Sequence, residues 1–522
     1  MHRTSTSALL DESDTVTTTK PLLGYHDDDE DEKFNGSKCC RYIQARYVIA
    51  IWTFLGFVCL YMLRVNLSVA IVAMVTPQNV NETIDECKIN TSKTNETVKH
   101  DFDWNPHTQG FVLGAFFYGY VLTQLIGGYL SERFGGKWIF GCGILGAGLL
   151  TMLIPIAAKT HVGFLIVVRV LIGVFEGPAF PSSAALWGQW VPPLERSIIP
   201  PIAHAGKEFG NVVTTPLAGL LCSSSFLGGW PSAFYVFGII TCIWFAGWCY
   251  FVYNNPNQHP RISVKERIFL TNCLPKPVKL KTPWKAILTS APFWSIAVAS
   301  TCIQFVYYVL LTSLPTYFAT ILKFNLQKNG VMFAIPYIFI LVVIVISGQL
   351  ADCIRARHIL STTNVRKLQT IIGKEMLFII PRSFSGVGSS TSLILIGYVN
   401  CNHVAAVICV TCAVAFIGFH SAGCQISHLD IAANHAGTLV GITNTLASIP
   451  GFVGPYVVGA ITNGNQTIAA WRKIFNLSGG IGLFGCIVYC ILFNGEEQKW
   501  NRNEGYIQVV VKQEDDDDLI VS

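Results

Sequence analysis

Long apolar runs separated by short polar stretches fill the chain from residue 47 to residue 494. A helix needs about 20 apolar residues to cross a bilayer, and about twelve runs are that long. The pattern predicts helices over 47–75, 108–130, 137–158, 161–181, 198–222 and 232–253. It predicts two more over 290–318 and 329–351, and four between 364 and 494. Soluble domains do not repeat runs of this length with so few charges between them. The expected class is an all-α integral membrane protein.

Two short charged segments break the apolar pattern in the same way. Gly128-Tyr129-Leu130-Ser131-Glu132-Arg133-Phe134-Gly135-Gly136-Lys137 closes the second predicted helix. Gly348-Gln349-Leu350-Ala351-Asp352-Cys353-Ile354-Arg355-Ala356-Arg357 closes the eighth. Each has Gly, an acid four residues on, and basic residues soon after. The second starts 220 positions after the first, a little under half the chain. This internal repeat resembles the major facilitator transporters, which are built from two related halves. The resemblance implies a twelve-helix major facilitator fold with two six-helix halves around a central cavity. In it Glu132 and Asp352 would clamp the ends of the halves through Arg133 and Arg355.

The expected organisation follows. Residues 1–45 form a disordered cytoplasmic tail and 46–253 the first six-helix half, with a glycosylated luminal loop at 76–107. Residues 254–289 form a cytoplasmic central loop, 290–494 the second half, and 495–522 an acidic cytoplasmic tail.

Composition agrees. Of 522 residues, 51% are hydrophobic and 13% charged, against roughly 25% charged in average soluble domains. The tail before the first run, with Asp27-Asp28-Asp29-Glu30-Asp31-Glu32, fits no signal peptide, so the first helix is expected to direct its own insertion. Basic residues set the orientation. Lys33, Lys38, Arg41 and Arg46 precede the first helix, and Arg261, Lys265, Arg267, Lys276, Lys279, Lys281 and Lys285 fill the central loop. These segments are expected in the cytoplasm. The loop after the first helix instead carries three glycosylation sequons, at Asn81, Asn90 and Asn95. An even helix count puts both termini in the cytoplasm.

The net charge of +5 is explained by this positive-inside bias and calls for no nucleic acid. The 17 cysteines lie mostly in apolar runs, where a thiol acts as a small hydrophobe. No metal-ligand spacing appears, and no cofactor or enzymatic activity is expected. Cys39-Cys40 is either a palmitoylation site or two plain thiols. Asp515-Asp516-Asp517-Asp518-Leu519-Ile520 is either an acidic-dileucine address for a sorting adaptor or a solvated tail. Pro21-Leu22-Leu23 lacks the upstream acid of that pattern.

Further motifs narrow the resemblance. They are Leu63-Arg64-Val65-Asn66-Leu67-Ser68, Phe116-Phe117-Tyr118-Gly119-Tyr120, Glu176-Gly177, Phe180-Pro181 and Pro192-Pro193-Leu194-Glu195-Arg196-Ser197. Leu314-Pro315-Thr316-Tyr317, His428-Leu429-Asp430-Ile431-Ala432 and Gly441-Ile442-Thr443-Asn444-Thr445 follow in the second half. From about residue 46 to about 500 the chain resembles the branch holding sialin, the vesicular glutamate and nucleotide transporters and the type I sodium–phosphate cotransporters. It resembles the sialin-like members most. The resemblance implies a membrane glycoprotein that moves a small anion, with a lysosomal, vesicular or plasma-membrane location.

Ions inside a membrane are costly, so each is a functional candidate. Arg64 can grip a carboxylate or phosphate with two parallel hydrogen bonds, and the resemblance implies an anion-binding Arg at this position. Tyr61, Asn66, Tyr118, Tyr308 and Asn444 are its expected companions in a substrate site. Arg169 and Glu176, seven apart, share a helical face. They are either an ion pair or part of a proton-coupling group. Sialin-like relatives carry a second acid where Ile172 stands. Its absence leaves Glu176 as the one carboxyl on this helix able to take and release a proton. His204-Ala205-Gly206-Lys207-Glu208 replaces a neutral stretch of the relatives. His204, Lys207 and Glu208 substitute for the missing acid or mark a changed substrate. The glutamate-transporting branch has a His where Leu113 stands and an Arg in the seventh helix. Here that helix has Gln304, Tyr307 and Tyr308.

The twelve residues 374–385, with Lys374, Glu375, Pro381 and Arg382, interrupt the ninth predicted helix. They read as a gene-model error, a broken helix or an extra loop. The expected function is secondary active transport of a small anion, with a proton as coupling ion. The anion would be a sialate-type acidic sugar, another organic anion or phosphate. A sodium-coupled phosphate carrier, a potential-driven anion path and a non-transporting receptor on the same fold are the alternatives.

Overall fold

The apolar runs fold into helices, and the described residues hold no strand, only one isolated bridge between Val75 and Phe102. The computed structural model describes residues 44–76, 101–192, 195, 199–273, 282–356, 385–420, 424, 427–432 and 435–501. All fall in one unit, Ile43–Ser522; the other, Met1–Tyr42, lies outside the described residues.

The first group of helices is α1 (Ala45–Met74), α2 (Pro106–Phe134), α3 (Gly136–Thr160), α4 (Val162–Glu176), α5 (Ala179–Trp190), α6 (Ile199–His204), α7 (Gly206–Ser223) and α8 (Pro231–Phe251). Two short helices, α9 (Val264–Cys273) and α10 (Trp284–Leu288), lie in the central loop. The second group is α11 (Ala291–Thr320), α12 (Leu326–Ala356), α13 (Ser385–Ile396), α14 (His403–His420), α15 (Ser427–Ile431), α16 (Ala436–Ser448), α17 (Pro450–Thr462) and α18 (Ile468–Leu492). Among the described residues, nine helical spans are long and apolar enough to cross a membrane. The helix α2, the pair α6–α7 and α13 occupy the other three expected places. Large apolar side chains face outward, including Leu122, Ile243, Val404 and Ile491. Water penalises such a surface and lipid does not.

Three predicted helices differ in detail. The fourth runs on to Trp190, as α4 and α5 in one span from Val162. Pro178 lacks an N–H and interrupts the hydrogen-bond ladder without stopping the rod. The fifth tightens at Ala205, whose N–H is shared between the carbonyls of Pro201 (2.9 Å) and Ile202 (3.2 Å) while its backbone stays helical. The eleventh breaks between α16 and α17 at Pro450. Of the interrupted ninth, only Ser385 onward is described.

Glycines set the closest helix crossings. A Cβ on Gly173 of α4 would run into the carbonyl oxygen of Phe116 on α2, and one on Gly119 would meet the backbone nitrogen of Val174 at 2.7 Å. Contact between α2 and α4 is therefore backbone to backbone. Gly173→Val is expected to push them apart. Overpacking of this kind costs about 1–3 kcal/mol. Gly173→Val should therefore show a lower unfolding temperature in detergent and a proportionate fall in transport. An unchanged unfolding temperature would contradict the packing described.

The two groups meet at the end of the bundle away from the start of α1. There Gly110 and Gly114 of α2 pack on Pro455 and Phe452 of α17, and Gly330 of α12 packs on Thr215 and Gly219 of α7. At the same end the chain after α1 is stapled to the chain before α2. Thr76 N–H donates to the Phe102 carbonyl (2.9 Å), and Phe102 N–H donates to the Met74 carbonyl (3.0 Å).

At the opposite end a buried ion network ties three segments together. Arg46 pairs with Glu195 (2.9 Å) and with Glu266 of α9 (3.6 Å). Glu266 also accepts from the N–H groups of Ala45 (2.9 Å) and Arg46 (3.2 Å). It thus caps α1, whose own N-cap residue Gln44 makes no side-chain cap bond. Glu266→Ala should cost about 1.5–3 kcal/mol, the worth of a charge-assisted hydrogen bond. Thermal unfolding of the purified protein measures this.

Candidate functional site

Arg64 lies two thirds of the way along the 30-residue α1, and Glu176 ends α4. They are 112 residues apart in sequence, yet Arg64 Nη2 and Nε both donate to Glu176 Oε2, at 3.1 and 3.3 Å. Their side chains are 3% and 0% exposed. The guanidinium is enclosed by the rings of Tyr61, Phe116 and Tyr120, with its carbon 4.7, 4.6 and 4.6 Å from their centroids. These ring faces stabilise a desolvated cation.

Arg169 sits two turns before Glu176 on α4 and is also buried. Of the two readings of Arg169 and Glu176, the ion pair does not form: the carboxylate turns to Arg64. The Arg169 guanidinium lies 5.5 Å from the Phe116 ring, so two guanidiniums share that ring. Arg169 Nε and Nη1 and Glu176 Oε1 are buried without a hydrogen-bond partner. This core thus holds two guanidiniums and one carboxylate.

The companions of Arg64 divide. Tyr61 is against it, and Tyr308 of α11 is buried, its ring 4.6 Å from Phe117 of α2. Asn66 is buried with both amide atoms unpartnered. Tyr118 is a correction. It stacks on Phe452 of α17 at 4.6 Å and is exposed. Two residues along a helix turn a side chain by roughly 200°, so Tyr118 faces away from Phe116 and Tyr120. Phe116 and Tyr120 are the rings that the sequence reading missed. Asn444 is exposed on α16.

His204 and Glu208, one helical turn apart, bond different partners. His204 ends α6, with its Nε2 3.2 Å from Ser183 Oγ and its ring against Phe57 and Phe180. Glu208 enters a different network. Its Oε1 pairs with Lys207 (3.3 Å), and its Oε2 accepts from Asn211 (3.2 Å) and from the Tyr307 hydroxyl of α11 (3.3 Å). Asn211 also donates to Tyr307 Oη (3.2 Å). Asn211 and Tyr307 were missed, since no local pattern joins residues 96 apart.

Glu132, Asp352 and Arg355 continue α2 and α12 in backbone, and their side chains lie outside the described part. Arg133 is exposed, 5.7 Å from the Phe134 ring. The sequons at Asn81, Asn90 and Asn95, tail residues 1–43 and 502–522, and residues 374–384 also lie outside the described residues. Among the described residues no cluster of metal-ligating side chains appears. A small crevice of about 20 Å³ between α2, α11 and α17, lined by Gln109, Gly110, Leu113, Ser313, Pro455 and Thr462, holds none of these buried charges.

A sequence profile of the Major Facilitator Superfamily matches residues 53–455. The chain belongs to the major facilitator superfamily. Human sialin is 40% identical over 475 residues, 89% of this chain and 92% of its own. Bovine vesicular glutamate transporter 1 is 37% identical over 474 residues, 89% of this chain and 80% of its own. These matches put it in the branch of sialin and the vesicular glutamate transporters. Among solved structures, a bacterial homolog of the human lysosomal transporter Spinster, inward-facing and unoccupied, aligns with TM-score 0.62 at 13% identity. It covers 88% of this chain and 98% of its own. A D-xylose–proton symporter aligns with TM-score 0.61 at 14% identity, over 86% of this chain and 99% of its own. At these identities the likeness is one of fold. The protein is a multi-pass membrane transporter, as its relatives are, and not an enzyme.

Proposed function

We propose that this transporter carries a small anion together with a proton, by alternating access of two halves, residues 46–253 and 290–494. The observation that carries the reading is the charge of the buried core: Arg64 and Arg169 face one carboxylate, with two Arg169 nitrogens unpartnered. An uncompensated buried charge costs several kcal/mol. A bound carboxylate or phosphate relieves it.

Exchange of partners gives the coupling. The anion takes the guanidinium of Arg64, and Glu176 loses both hydrogen bonds to it. Left charged in a site with no exposure, Glu176 would be strongly unfavourable; a proton removes that charge. On release the proton departs and Glu176 returns to Arg64. The cargo we propose is an acidic sugar of the sialate type, another organic anion or phosphate. Glutamate, carried in the names of some relatives, is disfavoured: α2 has Leu113 and α11 has no arginine. Both termini and residues 254–289 are placed in the cytoplasm, with the tails open to sorting adaptors in a lysosomal, vesicular or plasma membrane.

Flux in proteoliposomes under separate proton, sodium and potential gradients tests this. With N-acetylneuraminate, phosphate and glutarate as labelled probes, at least one should accumulate on a proton gradient alone. Accumulation only with sodium or only with an imposed potential would replace proton coupling. No flux under any gradient would favour a receptor on this fold.

A further inference from the structure

The short helix α9 in the central loop is apolar on two sides. Leu270 and Glu266, one turn apart, are buried on one side. Val264, Ile268 and Phe269 stand 69%, 55% and 44% exposed on the other. Water penalises such a face. Its surroundings identify what covers it.

Glu266 fixes α9 at the very start of α1, where it accepts from the N–H groups of Ala45 and Arg46. The 30 residues of α1 make about 45 Å of helix, and a bilayer with its headgroups is about 40–45 Å thick. The start of α1, and α9 with it, therefore lies at headgroup level. Arg46 then joins α9 to the outer wall of the bundle: its guanidinium carbon is 5.4 Å from the Phe269 ring and 5.0 Å from the Tyr47 ring. Tyr47, Ile51 and Leu55 form an exposed stripe along α1. Leu55 precedes Arg64 by nine residues, a rotation that leaves it about 180° round the helix, so the stripe faces away from the buried core. Phe269 thus continues a surface that lipid covers. Charge selects the lipid. Between residues 254 and 289 every charged residue except Glu266 is basic. Glu266 and the nearby Glu195 are both paired with Arg46. Lys265 is exposed and emerges between Ile268 and Phe269 on the helix surface. The Arg261 guanidinium lies 3.7 Å from the ring of Tyr250, itself exposed at the end of α8.

We infer that α9 is a docking surface for anionic phospholipid. Val264, Ile268 and Phe269 enter the edge of the acyl chains, and Lys265 and Arg261 meet the headgroups. In the orientation proposed above this is the cytoplasmic leaflet. Apolar side chains set beside basic ones suit a helix lying in the plane of the interface, and each basic residue there favours anionic over neutral lipid. The same helix that caps α1 through Glu266 then rests on the lipid, which steadies the entry of α1 into the membrane.

Photo-crosslinking of the full chain in lipid nanodiscs tests the inference. The bilayer is a four-to-one mixture of phosphatidylcholine and phosphatidylserine, and benzoylphenylalanine replaces Ile268 in one protein and Ile51 in another. Mass spectrometry of the irradiated protein should find phospholipid adducts at both positions. At 268 the ratio of phosphatidylserine to phosphatidylcholine adduct should exceed the bilayer ratio about fivefold, the worth of one basic residue at an anionic surface. Lys265→Gln should lower that enrichment by about twofold or more while the adduct itself persists. An adduct at 51 with none at 268 overturns the membrane position of α9, as does capture of another protein at 268 in native membranes in place of lipid. No adduct at 51 overturns the lipid-facing stripe on which the position rests. Adducts at 268 in the bilayer ratio, or enrichment unchanged by Lys265→Gln, overturn the choice of anionic lipid.

Discussion

Proteoliposomes carrying Glu176→Gln will exchange the anion across the membrane and will fail to accumulate it on a pH gradient. The amide keeps the shape of the protonated carboxyl but takes no proton. Arg64, which in the wild type gives two hydrogen bonds to Glu176 Oε2, would lose its charged partner. It would be freer for the anion, so exchange should persist. One pH unit is worth about 1.36 kcal/mol, and 1.4 kcal/mol is a factor of ten, so electroneutral symport of one proton per anion sustains about tenfold accumulation. The variant should show none. Accumulation at the wild-type level would move the coupling to Glu208, a buried carboxylate bonded to Tyr307 of the second group.

Arg64→Lys should weaken anion binding by roughly 10- to 150-fold, the equivalent of about 1.5–3 kcal/mol for one charge-assisted hydrogen bond. The charge remains, but the planar fork that grips a carboxylate with two parallel bonds is lost. The setting sharpens the effect. The guanidinium is enclosed by Tyr61, Phe116 and Tyr120 at 4.6–4.7 Å, a stack that a compact, strongly hydrated ammonium fills poorly. Equilibrium binding of labelled anion to the purified variant measures it. Unchanged affinity would leave Arg64 as a structural charge.

The membrane helices were legible because lipid imposes a simple rule: a spanning segment must satisfy its own backbone and show apolar side chains outward. That rule writes itself into local composition. The breaks inside spans were less legible. Pro178 and Pro450 were visible as residues, yet whether a proline stops a helix or only interrupts its ladder depends on what packs there. The charged residues of the core were legible singly, since each ion in an apolar run stands out. Their pairing was not. Arg169 and Glu176 share a face of one helix, and that local geometry left an ion pair and a proton-coupling group both open. The close α2–α4 crossing at Gly119 and Gly173 brings α2's rings onto Arg64, and Glu176 bonds Arg64 across 112 residues. Tyr118 and Tyr120 show the same limit. They sit in one motif, but only the packed partner of α2 decides which faces the site. The missing acid at Ile172 and the charged stretch His204–Glu208 were both visible. Their relation was not, because the partners, Ser183 for His204 and Tyr307 for Glu208, come from other helices.

Anion-induced proton uptake by the purified protein tests the central claim most directly. Anion is added to weakly buffered wild-type protein near neutral pH, with N-acetylneuraminate, phosphate and glutarate as probes, and the pH change is read with an indicator dye. If the anion displaces Glu176 from Arg64, binding should take up close to one proton per anion in wild type and none in Glu176→Gln. Anion binding with no proton uptake in wild type, or equal uptake in Glu176→Gln, would contradict it.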